Sequence, residues 1–205
     1  MPQCATTSRL KGPSEPSGSW RRIQVMLTAD AVTLLGDAIP RAPGVWADLG
    51  AGKGNFTRAL AQLLGPGSRI YSVDRDRDAV AALKRLVPET PVEIVPVLAD
   101  LTSAFSLPDE PDGGWDGMLL ANALHFVANA EAVLAALVRR VRVGGRVVVI
   151  EYDRRAASRW VPYPITPDRL VELAAGAGLS TPVITARRAS SFGGELYVAV
   201  ADRVT

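Results

Sequence analysis

The sequence predicts an α/β fold: a mostly parallel sheet of seven strands with helices on both faces and a C-terminal antiparallel hairpin. Two observations carry this. Strand-like apolar runs alternate with helix-spaced segments five times between residues 44 and 152, the pattern of a parallel sheet covered on both sides. The last two runs are separated only by "ASSFGG", too short for a parallel crossover of a dozen or more residues, so they pair as a hairpin and one strand is reversed.

The elements follow in order. Val25 to Ile39, "VMLTADAVTLLGDAI", is apolar at helical spacing and is closed by Pro40, which cannot continue a helix. "GVWADL" (44–49) reads as a buried strand. "NFTRALAQLLG" (55–65) is a helix with Phe56, Leu60, Leu63 and Leu64 on one face, ended by Gly65 and Pro66. "RIYSV" (69–73) is the second strand, "RDAVAALKRLV" (77–87) a helix stopped before Pro88, and "VEIVPVLA" (92–99) the third strand. Pro96 cannot donate to a ladder, which predicts that this strand lies at a sheet edge. After a Pro- and Gly-rich loop (107–114) come strand "WDGMLLA" (115–121), helix "AEAVLAALVRRV" (130–141) with Gly144 and Gly145 as its exit, and strand "RVVVIEY" (146–152). The last helix, "TPDRLVELAAGAG" (166–178), has Thr166 as its cap, Pro167 at its first position and Gly176 or Gly178 at its exit. "TPVITARR" (181–188) and "ELYVAVAD" (195–202) form the hairpin. One domain is expected over residues 20–205, behind a disordered tail at 1–19, and there is no internal repeat.

At 205 residues the chain buries enough apolar surface to fold without staples. Its one cysteine, Cys4, lies in the polar start, which argues against a disulfide framework, a thiolate metal cluster and a catalytic cysteine, and favours a reducing cytoplasm. The opening segment has no apolar core of signal-peptide length, and no run approaches a membrane span. With 23 basic and 21 acidic residues interspersed, charge does not point to nucleic acid; Arg139, Arg140 and Arg142, like Arg187 and Arg188, read as solvated faces rather than phosphate patches.

The chemistry concentrates in "VWADLGAGKGNFTRAL" (45–60), a strand, an aspartate and three alternate glycines leading into a helix. A dinucleotide fingerprint needs a third glycine where Asn55 stands, and a phosphate-cradling P-loop cannot be laid over "GAGKGNFT". Asp48 would aim a carboxylate at the crevice beyond the strand ends, repelling a pyrophosphate and attracting an amino group or a cation.

With Asp48, Gly50, Gly52 and Gly54 in this arrangement, and with a terminal reversed hairpin, the chain resembles the class I S-adenosylmethionine-dependent methyltransferases over roughly residues 20–205. The resemblance implies their Rossmann-like sheet, S-adenosyl-L-methionine as cofactor with S-adenosyl-L-homocysteine as product, and a set of cofactor contacts. Asp74 matches the acidic residue that accepts from both ribose hydroxyls; capping of the following helix is its other reading. Arg75 replaces the usual apolar residue against the adenine, either stacking on the ring or turning to solvent. Asp100 and Leu101 match the positions that bond the adenine amino group and ring. Asn122 and Ala123, in "ANALHFV", match the segment beneath the methionine moiety.

Methyl transfer from a sulfonium is an in-line displacement, so positioning supplies much of the rate and a base is needed only where the acceptor loses a proton. His125, the only histidine, is the candidate base; its other reading is a core residue with both nitrogens bonded to backbone. Tyr152, Trp160 and Tyr163 are candidate acceptor contacts or, equally, loop packing, and Glu151 and Asp153 flank Tyr152 after strand five. "NALH" lacks the prolines and aromatic ring of adenine-amino enzymes, Cys4 is remote from every motif, and Asn122 stands where metal-assisted enzymes carry a carboxylate, so no metal is expected. The brief insertions favour a small-molecule acceptor and no membrane. Protein or RNA acceptors, and a non-catalytic sensor or partner subunit using the same pocket, are the alternatives; acceptor and oligomeric state are open.

Overall fold

The computed structural model describes residues 26–153, 156–190 and 194–205; the expected tail (1–19), Cys4 and most of the "SSFGG" loop lie outside them. The strands are β1 (Val45–Leu49), β2 (Arg69–Asp74), β3 (Glu93–Leu98), β4 (Trp115–Ala121), β5 (Val141–Asp153), β6 (Val183–Ala189) and β7 (Glu195–Asp202). They form one seven-stranded sheet in the order β3-β2-β1-β4-β5-β7-β6. Every pairing from β3 to β5 is parallel, and β7 runs antiparallel to both β5 and β6, so the single reversal falls where the sequence places it. β3 lies at the edge, as Pro96 requires.

Strand alternation sorts side chains into two cores. Trp46, Ile70, Leu119, Val148 and Ile150 face helices α1 (Thr28–Leu35) and α2 (Asn55–Leu64). Ala47, Leu49, Tyr71, Met118 and Val147 face the opposite way, against α4 (Ala130–Val138) and α5 (Pro167–Ala177). Helix α3 (Arg77–Leu86) packs on β2 and β3. Trp46, Trp115, Tyr71 and Tyr197 are fully buried, each contributing about 1.5–3 kcal/mol or more of burial free energy.

Three boundaries differ from expectation. The first helix ends at Leu35, and the amides of Ala38 and Ile39 both close on the Leu35 carbonyl, because Gly36 weakens the helix before Pro40 is reached. Pro88 sits inside a short 3-10 turn (Val87–Glu89) that extends α3. Gly144 and Gly145 are not a helix exit: α4 stops at Val138 and both glycines lie within β5. Gly144 has φ +74°, and a Cβ on Gly145 would stand 2.6 Å from Val141 Cγ1, so the strand makes its irregular step at residues that only glycine can fill.

Four arginines of these clusters are ion-paired. Arg140 holds Glu110 through two contacts (2.8 and 2.5 Å) and stacks on Phe105 and Trp115; Arg142 meets Asp116, Arg187 meets Asp153, and Arg188 meets Asp30. No helix among the described residues is long and apolar enough to cross a membrane.

A Cβ on Gly117 would lie 2.5–2.7 Å from the Trp46 ring atoms. Gly117→Ala should therefore destabilise the protein by about 1–3 kcal/mol through overpacking, read as a lower urea midpoint at unchanged m-value.

Candidate active site

The strand order reverses between β1 and β4, and the loops leaving these neighbouring strands diverge around a crevice, the place where open α/β sheets bind ligands. Gly50 leaves β1 at φ +78°, and a Cβ on it would stand 2.7 Å from the Cβ of Ala123 in the opposing loop. Only glycine allows both the backbone angle and that approach. The amides of Gly50 and Ala51 donate to the Val73 carbonyl (2.8 and 3.0 Å), tying the loop to the end of β2. Gly52, at φ +54°, faces open space: an added Cβ would meet nothing within 4 Å. Gly54 is the N-cap of α2 at φ +86° and abuts Leu83, so it serves the packing of α2 on α3 rather than the crevice.

Asp48 is also not in the crevice. It shares strand parity with Trp46, which turns its carboxylate toward α2, where Oδ2 accepts from Thr57 Oγ1 at 2.6 Å; the residue is 1% exposed and Oδ1 has no partner. Burial pushes its carboxyl up to about 7, against the lowering effect of the Thr57 hydrogen bond and with a further push from the Asp74 charge. Thr57, a polar residue inside an apolar helix face, is the partner that reading the sequence missed.

Asp74 ends β2. Its Oδ2 accepts from the Gly52 amide (2.7 Å) and its Oδ1 from the Asp76 amide (2.8 Å), leaving lone pairs on both oxygens. The cap of α3 is Asp76, not Asp74. Asp100 accepts from the Thr102 amide and hydroxyl (2.9 and 2.7 Å), and these bonds, with Arg75 3.8 Å from its other oxygen, hold its carboxyl below the usual range. Arg75 is mostly exposed.

These residues line a cleft of about 210 Å³ whose walls bring Gly50, Asp74, Arg75, Asp100, Leu101, Asn122 and Ala123 together. Thr102, Phe126 and Val127 join them; nothing local in the sequence marks them, because they arrive on the loops after β3 and β4. Asn122 holds φ +53°, a left-handed conformation that Asn tolerates better than most residues, and its Oδ1 is buried without a partner.

Asn122 and Phe126 also line a second cleft of about 190 Å³, with His125, Tyr152, Trp160 and Val161. The two clefts are thus adjoining compartments. His125 is 2% exposed, and its ring Nδ1 lies 2.6 Å from Glu151 Oε2, while its backbone amide donates to Glu151 Oε1 at 3.1 Å. So the histidine is a buried residue, but its partner is a carboxylate rather than the backbone. Glu151 and Tyr152 belong to β5 itself rather than following it, and Glu151, fully buried, sits directly opposite Tyr197 on β7. Burial and the Glu151 charge together push the Tyr197 hydroxyl far up. Tyr163 does not line the cleft: its amide donates to the His125 carbonyl (3.0 Å) and the residue is about half exposed.

Residues 47–147 match the methyltransferase domain family. The match covers just under half of the chain, and the seven-stranded sheet with its reversed hairpin is the Rossmann-like methyltransferase fold. The family draws its methyl group from S-adenosylmethionine. Among curated relatives, the chain is 28% identical to a 37.1 kDa protein of a Streptomyces fradiae transposon, over 72% of this chain and 47% of that protein. It is also 28% identical to the ubiquinone/menaquinone biosynthesis C-methyltransferase UbiE of Burkholderia mallei, over 56% of this chain and 45% of that one. The chain therefore spans about half the length of the curated relatives it matches. Among solved structures, the fold is similar to 1,6-didemethyltoxoflavin-N1-methyltransferase of Burkholderia thailandensis, with a TM-score of 0.68 at 22% identity, covering 91% of this chain and 81% of that one.

The glycine loop faces open space at Gly52, beside the lone pairs of Asp74. Among the described residues no group of three His, Cys, Asp or Glu side chains is placed to hold a metal ion.

The Asp48 carboxyl makes stability depend on pH. Folded, it keeps a proton to about pH 7 that the unfolded chain releases near pH 4, so stability falls as pH rises across that window. Asp48→Asn keeps an acceptor for Thr57 and removes the slope. Its advantage over the parent should grow from pH 4 to 7 and then level at about 2–4 kcal/mol in urea titrations; parallel pH curves would refute the assignment.

Proposed function

We propose that this protein is a methyltransferase that moves the methyl group of S-adenosyl-L-methionine to a nucleophilic oxygen, nitrogen or carbon of a small molecule seated in the second cleft, leaving S-adenosyl-L-homocysteine. The observation that carries the reading is the His125–Glu151 pair on the wall of a cleft that adjoins the glycine-loop cleft through Asn122. Asp74 accepts the two ribose hydroxyls with the lone pairs left by Gly52 and Asp76. Asp100 and Leu101 hold the adenine, Arg75 closes that end, and Asn122 stands beside the methionine moiety. Asp48 supports the loop from below through Thr57 rather than touching the cofactor.

When bound, the cofactor supplies a sulfonium-activated methyl group, displaced in line by the acceptor's lone pair while the carbon–sulfur pair stays on sulfur. His125 removes the proton of an O–H or N–H acceptor at Nε2. Glu151 fixes this role: a carboxylate 2.6 Å from Nδ1 requires the ring proton there, which leaves Nε2 as the acceptor and stabilises the imidazolium that forms. Trp160 and Tyr152 wall the acceptor, and Tyr163 orients His125 through its backbone. The single cysteine, Cys4, favours a reducing cytoplasm as the place of action.

Calorimetric titration tests the donor site. Asp74→Ala should weaken S-adenosylmethionine binding about 10- to 100-fold by removing charge-assisted hydrogen bonds, and Gly52→Val at least as much by filling the open space above the loop. NAD binding without any response to S-adenosylmethionine would sink the assignment. For the base, His125→Ala should lower label transfer from methyl-labelled cofactor into a metabolite pool by about 10²- to 10⁴-fold, with cofactor affinity held within about twofold. Retained transfer with a lowered melting temperature would make His125 a packing residue.

A further inference from the structure

Resting on the methyl-transfer reading above, the second cleft also specifies what it receives. Its walls are largely rings. His125 lies 4.2 Å from Phe126 at 47° and 5.8 Å from Tyr152 at 58°, tilted arrangements in which the rings fan around a shared space instead of closing on one another. Phe126 and Trp160 are 49% and 70% exposed, so two large aromatic surfaces of the cleft are left uncovered by the fold. Val161, buried, completes the wall. At about 190 Å³ the compartment is below the roughly 300–1,000 Å³ typical of drug-sized ligands, which suits one or two fused rings.

Two acceptors stand near the junction of the clefts, beside the Tyr152 and Trp160 donors of the wall. Asn122 Oδ1 is buried without a partner, and its backbone is held in the left-handed region at the junction of the two clefts. His125 presents Nε2 because Nδ1 is committed to Glu151. A buried acceptor left unmet is costly, so a ligand that brings an O–H or N–H to this junction is favoured over one that does not.

We infer that the methyl acceptor is a planar aromatic or heteroaromatic molecule of one or two fused rings, whose accepting atom is a ring-borne O–H or a ring N–H directed at Asn122 and His125. The ring lies against Phe126 and Trp160. In the transfer, the acceptor proton goes to His125 Nε2 and the lone pair it leaves forms the new bond to the methyl carbon.

Three probes with one skeleton separate the elements of this inference: 2-naphthol, its capped form 2-methoxynaphthalene, and the saturated decahydro-2-naphthol. Each is titrated calorimetrically into the protein loaded with S-adenosylhomocysteine. 2-Naphthol should bind about tenfold more tightly than decahydro-2-naphthol, and Trp160→Ala should reduce that ratio to about threefold or less. It should also bind about fivefold more tightly than 2-methoxynaphthalene, a preference that Asn122→Gly, which keeps the left-handed backbone, should abolish. Circular dichroism confirms that both variants are folded. Equal affinity for the flat and saturated probes, or no binding of either flat probe to the loaded protein, overturns the aromatic acceptor while leaving methyl transfer standing. Failure to bind S-adenosylhomocysteine at all overturns the methyl-transfer reading and the acceptor with it.

Discussion

The reversal of strand order between β1 and β4 sends two loops apart from adjacent strand ends, and the site exists because they separate while still touching at one point. That point is Gly50 against Ala123, where a Cβ would close the gap to 2.7 Å. The contact fixes the height of the glycine loop, and the Val73 carbonyl fixes its tilt by accepting two successive amides. With the loop so held, Asp74 is brought to the Gly52 amide and Asn122 to the border of both clefts. A side chain at position 50 would disturb all of these at once.

Strand parity then decides which acidic residue does what. Asp48 and Glu151 are both almost fully buried carboxylates near the ends of central strands, and their sequences give no reason to treat them differently. Asp48 shares its face with Trp46 and finds only a hydroxyl, so burial dominates and the carboxyl titrates near neutrality. Glu151 shares its face with Val147 and Val149, the face that carries the turn after β4, and meets an imidazole. One carboxylate supports a loop. The other orients a ring that lines the second cleft.

Most of the fold was legible because its signals are local. The strand runs, the glycines at helix ends, the edge-forcing Pro96 and the short hairpin connection each constrain only a few residues, and the sheet assembled from them has the expected seven strands with one reversed. The errors fall where a local signal serves a distant neighbour. Gly144 and Gly145 look like a helix exit but answer to Val141 and Asp116 across a strand irregularity, and Gly54 looks like a ligand glycine but answers to Leu83. The cleft wall was legible to the extent that it sits on motif loops; Thr102, Phe126 and Val161 carry no pattern of their own.

By itself the sequence determined the α/β architecture and the place of the glycine loop, which follow from spacing along the chain; Asp74, Asp100 and Asn122 became candidates only through the resemblance to a known family. It could not pair His125 with Glu151, since 26 residues and a helix separate them and only the parallel register of β4 and β5 brings the turn after one beside the end of the other. Nor could it turn Asp48 away from the crevice, because a side chain's face depends on strand parity relative to helices packed from elsewhere in the chain. Spacing specifies elements; which functional groups meet is decided by the sheet that those elements build.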